Sequence, residues 1–135
     1  MDIKQLIKKS HGMAKSKGFW EVPDRNVPEM LMLVVSELSE ALEALRKKHY
    51  ADALVAEDLQ ADIRIAEVDE EFTYNPEDWK SLFEKHIKSS FEDEIADVAI
   101  RLFDLCGGLG IDLEKHIELK MKYNSMRGYK HGKAF

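Results

Sequence analysis

Hydrophobic residues recur with helical spacing between Met30 and Arg46. This pattern predicts a long helix with a wide apolar arc facing a core. Pro28 suits its first turn, and we expect the helix to run to about His49. The residues of the arc are Met30, Leu31, Val34, Val35, Leu38, Leu42 and Leu45.

The rest of the chain is also helical in pattern, and no stretch has the alternation typical of strands. Asn75-Pro76 predicts a turn, and Gly107-Gly108-Leu109-Gly110 predicts the end of a strongly apolar helix. The inner side of the first helix is assigned to Ile3, Leu6, Ile7, Met13 and Ala14. Helices are expected at about residues 1–17, 28–49, 51–68, 79–87, 90–106 and 113–126.

This pattern predicts an all-α fold resembling a four-helix bundle. The 135 residues suit a single domain. Residues 50–89 would form an extra helical excursion between two helices that carry acidic pairs. Residues 128–135, which are basic and contain two glycines, are expected to form a flexible tail.

Two acidic pairs at i, i+3 spacing stand out because they occur in apolar surroundings. Glu37 and Glu40 share one face of the helix that follows Pro28, and Glu37 lies at the margin of the apolar arc, beside Met30. Glu94 and Asp97 repeat this arrangement in the helix ending near Cys106. Burying an unpaired carboxylate is costly, so the two pairs suggest a shared cation. Four oxygen donors favour Mg²⁺, with Mn²⁺ possible, over Zn²⁺.

Two other interpretations of these pairs are a solvated helix face and a di-iron centre. Glu-x-x-Glu is common on solvated helix faces, and Glu43 and the acidic run at 67–71 fit that description. A di-iron carboxylate bundle would need Glu-x-x-His pairs, and neither acidic pair has a histidine at the third position.

Composition narrows the class of protein. A net charge of −6 argues against nonspecific binding of nucleic acid or anionic membranes. There is no apolar run of membrane-spanning length and no apparent signal peptide, so a cytoplasmic protein is expected. The single cysteine, Cys106, lies in an apolar helix and is interpreted as a small buried hydrophobe.

A third group of polar residues occurs in the last helix. Lys120, Asn124 and Arg127 follow i, i+4, i+7 spacing and share a face. These side chains suit polyphosphate binding, although a basic helix end that complements the helix dipole explains them equally well. Together with a carboxylate-held Mg²⁺, they indicate a ligand rich in phosphate.

These motifs, in this order, resemble the all-α nucleoside triphosphate pyrophosphatases, the MazG-like and dCTP pyrophosphatase group. The family pattern is Glu-x-x-Glu, a spacer, Glu-x-x-Asp and a Lys…Asn-x-x-Arg segment. The resemblance covers 36–46, 92–98 and 110–127, and extends to His11 and Trp20. The spacer between Glu40 and Glu94 is longer than typical for the family.

The resemblance implies hydrolysis of a nucleoside triphosphate to the monophosphate and pyrophosphate. In that activity Glu37, Glu40, Glu94 and Asp97 would be the catalytic, metal-binding residues. Substrate binding would involve His11 for the nucleotide, Trp20 for the base, and Lys120, Asn124, Arg127 and Lys130 for the phosphates. Relatives imply a homodimer or homotetramer. A nucleotide-binding or regulatory bundle without turnover and a metal-free helical interaction protein remain the alternatives.

Overall fold

A computed structural model describes residues 1–132, and over that range the chain is all-α, as predicted, with no strand. None of the helices in this range is long and apolar enough to cross a membrane. The helices are α1 (Ile3–Ser16), α2 (Val27–Arg46), α3 (Ala53–Val68), α4 (Pro76–His86), α5 (Phe91–Leu109) and α6 (Leu113–Ser125), followed by a 3-10 helix at Tyr129–Gly132.

The helices form two compact units, and α3 and α4 are the predicted excursion between α2 and α5. One unit consists of Met1–Met30 and the chain from Ile100 onward, in which α1 packs against α6. The other is Leu31–Ala99, with most of α2, the start of α5, and α3 packed against α4. The acidic pairs therefore belong to the second unit.

Local capping explains where α1 begins and ends. The backbone N–H of Gln5 donates to Asp2 Oδ1 at 2.8 Å, and the Gln5 side chain accepts from the Asp2 N–H at 2.9 Å. This reciprocal pair is a capping box. Gly18, with φ of +85°, follows the end of the helix. One expectation for α1 was wrong: Met13, assigned to the inner side, is 61% exposed.

The end of α5 differs from the prediction. The helix continues through Gly107 and Gly108 and is capped at Gly110, whose φ is +65°. The Ile111 N–H donates to the Cys106 carbonyl at 2.9 Å, which is the long hydrogen bond of a Schellman cap. Cys106 is buried, as predicted, and burial raises the pKa of its thiol.

The excursion has a small core of its own. Asn75 caps α4 by accepting from two backbone N–H groups, so the predicted turn at Asn75-Pro76 is a helix start. The Trp79 and Phe83 rings stack 5.6 Å apart, and Trp79 Nε1–H donates to the carbonyl of the buried Leu59 at 3.2 Å.

Three hydrogen bonds close the base of the excursion. The Phe91 N–H donates to the His49 carbonyl at 2.9 Å, and the Asp52 N–H donates to the His86 carbonyl at 3.1 Å. The Ala51 N–H donates to Glu92 Oε2 at 2.9 Å. The bonds made by Phe91 and Ala51 join the segment after α2 to the start of α5, so they hold together the helices that carry the acidic pairs, and the bond made by Asp52 joins that segment to the end of α4.

The buried side of α2 is displaced from the predicted apolar arc. Of the predicted core residues, Met30 is buried and Val34 is half-buried. The other five, which are Leu31, Val35, Leu38, Leu42 and Leu45, are exposed. The side that packs inward instead carries Met30, Glu37, Ala41 and Ala44. Small alanines allow close helix packing there, and the larger leucines lie outside.

Candidate functional site

Three of the four predicted carboxylates come together in the second unit. Glu37 on α2 and Glu94 and Asp97 on α5 form an acidic cluster whose ligand oxygens all lie within 4.8 Å of one another. Glu37 and Glu94 are only 7% and 8% exposed, and Asp97 is half-buried. The i, i+3 spacing on α5 directs two of these groups to one side, and the buried side of α2 supplies the third.

The environment of Glu94 favours its protonated form. Burial raises the pKa of this carboxyl, and the negative charges of Glu40 and Glu37 raise it further, followed by those of Asp93 and Asp97. Glu40 is exposed and lies outside the acidic cluster, yet it is close enough for its charge to act on Glu94.

The acidic cluster fits a hard divalent cation. Its donors are all carboxylate oxygens, the ligands that Mg²⁺ and Mn²⁺ prefer. A bound cation would offset both the mutual repulsion of the carboxylates and the cost of their burial.

Without a divalent cation, Glu94→Gln is expected to stabilise the protein at pH 7. The pKa of Glu94 is raised above its ordinary 4.5, so the folded protein holds this proton more tightly than the unfolded chain does. The resulting stability is complete below the unfolded-state pKa and is lost as pH rises through the folded-state pKa. A gain of about 1 kcal/mol would raise Tm by roughly 3–5 °C in a domain of this size.

Thermal melts in EDTA at pH 7 and pH 4 measure this effect, with Glu43→Gln on the exposed side of α2 as the control. The Glu94→Gln gain should largely disappear at pH 4, where the wild-type carboxyl is mostly protonated in both states. Added Mg²⁺ should raise the wild-type Tm more than that of the variant. An unchanged or lower Tm for Glu94→Gln at pH 7 would show that burial and the neighbouring carboxylates do not destabilise the charged form of Glu94.

In the first unit, His11 and Trp20 converge on a residue that sequence reasoning missed. His11 Nδ1–H and Trp20 Nε1–H both donate to Asp104 Oδ1, at 2.9 and 2.8 Å. This arrangement places the His11 proton on Nδ1 and leaves Nε2 without a contact to Asp104. The Arg25 guanidinium lies 3.8 Å from Asp104 Oδ2 and 4.9 Å from the centre of the Trp20 ring. We call these four residues the Asp104 network.

Two glycines of α5 make room for this network. A Cβ atom at Gly107 would lie 2.6 Å from His11 Cβ, and one at Gly108 would lie 2.0 Å from Trp20 Cη2. Trp20 is therefore closely packed on its own chain, and its predicted contact with a base stays a prediction. The sequence did contain a signal for Asp104, which is an acidic residue with two apolar residues on each side, at 102–103 and 105–106.

The predicted phosphate-binding residues also lie in the first unit. Lys120 Nζ is 5.0 Å and the Arg127 guanidinium 5.8 Å from the centre of the Tyr123 ring, so both cations gather at one aromatic side chain. Asn124 Oδ1 is buried and has no hydrogen-bond partner among residues 1–132, so it is an unsatisfied acceptor.

The start of the tail is ordered locally. Lys130 lies in the 3-10 helix, with Nζ 5.7 Å from the centre of the Tyr129 ring. Residues 133–135 lie outside the described residues, so the predicted flexibility of the 128–135 tail stays a prediction.

Comparison of the chain with protein-family models, curated proteins and solved structures found no match. The functional interpretation therefore depends on the residues themselves.

Proposed function

We propose that this protein is a Mg²⁺-dependent nucleoside triphosphate pyrophosphohydrolase that converts a (d)NTP to the (d)NMP and pyrophosphate. The observation that carries the proposal is the convergence of Glu37, Glu94 and Asp97 at a largely buried position. The ordered motifs that resemble the all-α NTP pyrophosphatases supply the reaction. Removal of noncanonical or damaged nucleotides from the cytoplasmic pool is the expected role.

In this proposal Glu37, Glu94 and Asp97 hold Mg²⁺, or Mn²⁺ in its place. When bound there, the metal would neutralise charge on the phosphates and would make water at the site a stronger acid. Glu40 lies outside the acidic cluster and is exposed, and in this proposal it is the general base for the attacking water.

The cationic residues would bind the triphosphate. Lys120, Arg127 and Lys130 would provide positive charge for the pyrophosphate leaving group, and Asn124, whose Oδ1 is an unsatisfied acceptor, would help to bind the substrate. His11 would present Nε2 to the nucleotide, because Asp104 engages its Nδ1.

Arg127→Ala and Lys120→Ala are expected to weaken triphosphate binding by about 10-fold or more, with little effect on nucleoside binding. The lost partner is a phosphate charge, so the deficit should shrink as ionic strength rises. Calorimetry with a nonhydrolysable triphosphate and the matching nucleoside measures both affinities.

The control is Lys122→Ala, which removes an exposed cation from α6, the helix that carries Lys120. Equal losses of affinity for the nucleoside and the triphosphate would show that Lys120 and Arg127 have a structural role and do not bind the phosphates. A loss in Lys122→Ala as large as theirs would indicate a general charge effect.

The decisive experiment is an assay of product with a panel of canonical and damaged deoxynucleoside triphosphates. Pyrophosphate release that requires Mg²⁺ is expected for at least one of them. Release of orthophosphate would contradict cleavage between the α and β phosphates. Binding of triphosphate and Mg²⁺ without any turnover would instead support the nucleotide-binding alternative.

A further inference from the structure

We infer that Asp104 is a positioning residue that makes His11 a hydrogen-bond acceptor for the sugar hydroxyl of the nucleotide, and not a ligand of its phosphates. The inference rests on the proposed function for the identity of the ligand. The role of Asp104 and the chemical partner of His11 follow from the hydrogen bonds of the Asp104 network.

Asp104 determines which ring nitrogen of His11 carries the proton. An ionised carboxylate only accepts hydrogen bonds, so His11 Nδ1, which lies 2.9 Å from Asp104 Oδ1, is the donor. The same oxygen accepts from Trp20 Nε1–H at 2.8 Å. The Asp104 side chain is only 13% exposed, so little water competes for these bonds. In the neutral imidazole the other nitrogen, Nε2, is therefore an acceptor.

Arg25 offsets the charge of Asp104, so the carboxylate does not need a second cation. The Arg25 guanidinium lies 3.8 Å from Asp104 Oδ2, the carboxylate oxygen that His11 and Trp20 do not use. A neutral His11 ring has no hydrogen on Nε2 to donate to a phosphate oxygen. Because two acceptors cannot form a hydrogen bond with each other, the partner of Nε2 has to be a donor.

His11 Nε2 can be reached from outside the protein. The ring packs on α5, since a Cβ atom at Gly107 would lie 2.8 Å from His11 Cγ and 3.3 Å from Cδ2, yet the side chain is 22% exposed. Nε2 has no hydrogen-bond partner among residues 1–132. Among the buried and half-buried residues of that range, Asn124 Oδ1 is the only buried side-chain N or O atom that lacks a partner. Nε2 is therefore accessible to a ligand.

A sugar hydroxyl is the donor of a nucleotide that suits this acceptor. The ionised phosphates carry only acceptor oxygens, and amino groups occur on some bases only, whereas every (d)NTP has a 3′-hydroxyl. The His11 and Trp20 ring centres lie 5.0 Å apart, with 77° between the ring planes. Because the sugar is joined directly to the base, a base in contact with Trp20 would bring the sugar beside His11.

Calorimetry of the full chain with a nonhydrolysable deoxynucleoside triphosphate and its 3′-deoxy analogue tests the partner. The wild type should bind the analogue about 10-fold more weakly, as expected for the loss of one hydrogen bond. In His11→Phe, which lacks the acceptor, the two affinities should agree within about 2-fold. The control is Met13→Ala on the exposed side of α1, which should keep the 10-fold difference. Equal binding of the two ligands by the wild type, or a full difference in His11→Phe, would overturn the inference.

A comparison of nucleoside with triphosphate tests whether His11 contacts the phosphates. His11→Phe should weaken the binding of both ligands by the same factor, in contrast to the effect expected for Lys120→Ala. A loss confined to the triphosphate would place His11 at the phosphates and overturn the inference. A loss confined to bases with an amino group would overturn it as well, because the partner would then be the base.

Nitrogen NMR of the histidine-labelled protein at pH 8 tests Asp104 without any ligand. In the wild type we expect the His11 proton on Nδ1. Asp104→Asn should keep this tautomer, because the amide Oδ1 can accept from both rings. Asp104→Ala should release the ring toward the Nε2–H form and remove the discrimination against the 3′-deoxy analogue. A wild-type His11 that carries a proton on Nε2 would overturn the inference.

These measurements also separate the inference from the proposed function. If binding depends on the 3′-hydroxyl but no pyrophosphate is released, the inference holds and the proposed function is wrong. If pyrophosphate is released and the two ligands bind equally, the proposed function holds and the inference is wrong. If no nucleotide binds, both are wrong. The wild-type titrations and spectrum decide the question even if a variant fails to fold.

Discussion

Glu37→Gln and Asp97→Asn are each expected to lower Mg²⁺-dependent pyrophosphate release by at least about 100-fold, since partners that merely orient metal ligands already contribute 10–100-fold. Glu40→Gln should abolish turnover as well, because it removes the proposed base. The fold should stay intact or become slightly more stable in all three variants, because each substitution relieves repulsion around Glu94. Steady-state rates over a Mg²⁺ titration, with circular dichroism, measure both effects.

The structure distinguishes among these carboxylates. Metal affinity, measured by calorimetry without nucleotide, should fall strongly for the Glu37 and Asp97 variants and less for Glu40→Gln, which alters a residue outside the acidic cluster. Glu43→Gln on the same helix is the control, since Glu43 pairs with Arg46 and Lys47. If a variant keeps a near-wild-type rate at saturating Mg²⁺, the residue it replaces does not have the proposed role as metal ligand or base. If all three variants keep that rate, the metal hypothesis is wrong.

Gly108→Ala is expected to destabilise the protein by about 3 kcal/mol, near the top of the range for overpacking. Its Cβ would lie 2.0 Å from Trp20 Cη2, and the Trp20 ring cannot retreat without breaking its hydrogen bond to Asp104. The loss should lower Tm by roughly 10 °C. Urea unfolding and thermal melts measure it.

The matched control is Gly12→Ala in the interior of α1, where an added Cβ meets nothing within 4 Å. That change should stabilise the protein by about 0.5–1 kcal/mol, the helix preference for alanine over glycine. Combining Gly108→Ala with Trp20→Phe should recover part of the loss, because the smaller ring removes the clash. A Gly108→Ala variant as stable as the wild type would show that Trp20 is not held closely against α5.

The Asp104 network changes what His11 and Trp20 can contribute to a nucleotide site. Both residues came from the family resemblance, as direct ligands of the substrate. In the structure each donates a hydrogen bond to Asp104, and Arg25 lies over the indole ring. Contact with substrate through His11 Nε2 or the remaining ring surface stays a prediction, now with Asp104 and Arg25 as the residues that hold these side chains in position.

Local sequence determined the helices and most of their ends. Asp2, Asn75 and Asp112 cap helices because their side chains accept from backbone N–H groups one turn ahead. Such signals act over a few residues and can be found in the sequence alone. The predicted end of α5 is too early because the glycines at 107 and 108 do not end the helix. They are needed for packing, since side chains there would clash with His11 and Trp20, which are far away in sequence.

The candidate metal ligands can also be found from sequence, because helical spacing and the cost of burying a charge are enough to identify them. Glu37 was placed at the margin of an apolar arc, and the structure buries it. Which side of α2 packs inward could not be predicted, since leucine and alanine are both apolar. Packing within the chain selected the side with Ala41 and Ala44, where helices can approach closely, and left the larger leucines outside.

Only the tertiary structure showed which residues far apart in sequence meet. Glu37 and Glu94 converge across an excursion of more than forty residues that hydrogen bonds close at its base. Similarly, Asp104 meets His11 across 93 residues of sequence. Periodicity gives the direction of each side chain around its own helix but not which helix lies opposite. That pairing is decided by the packing of whole helices, which no local pattern records.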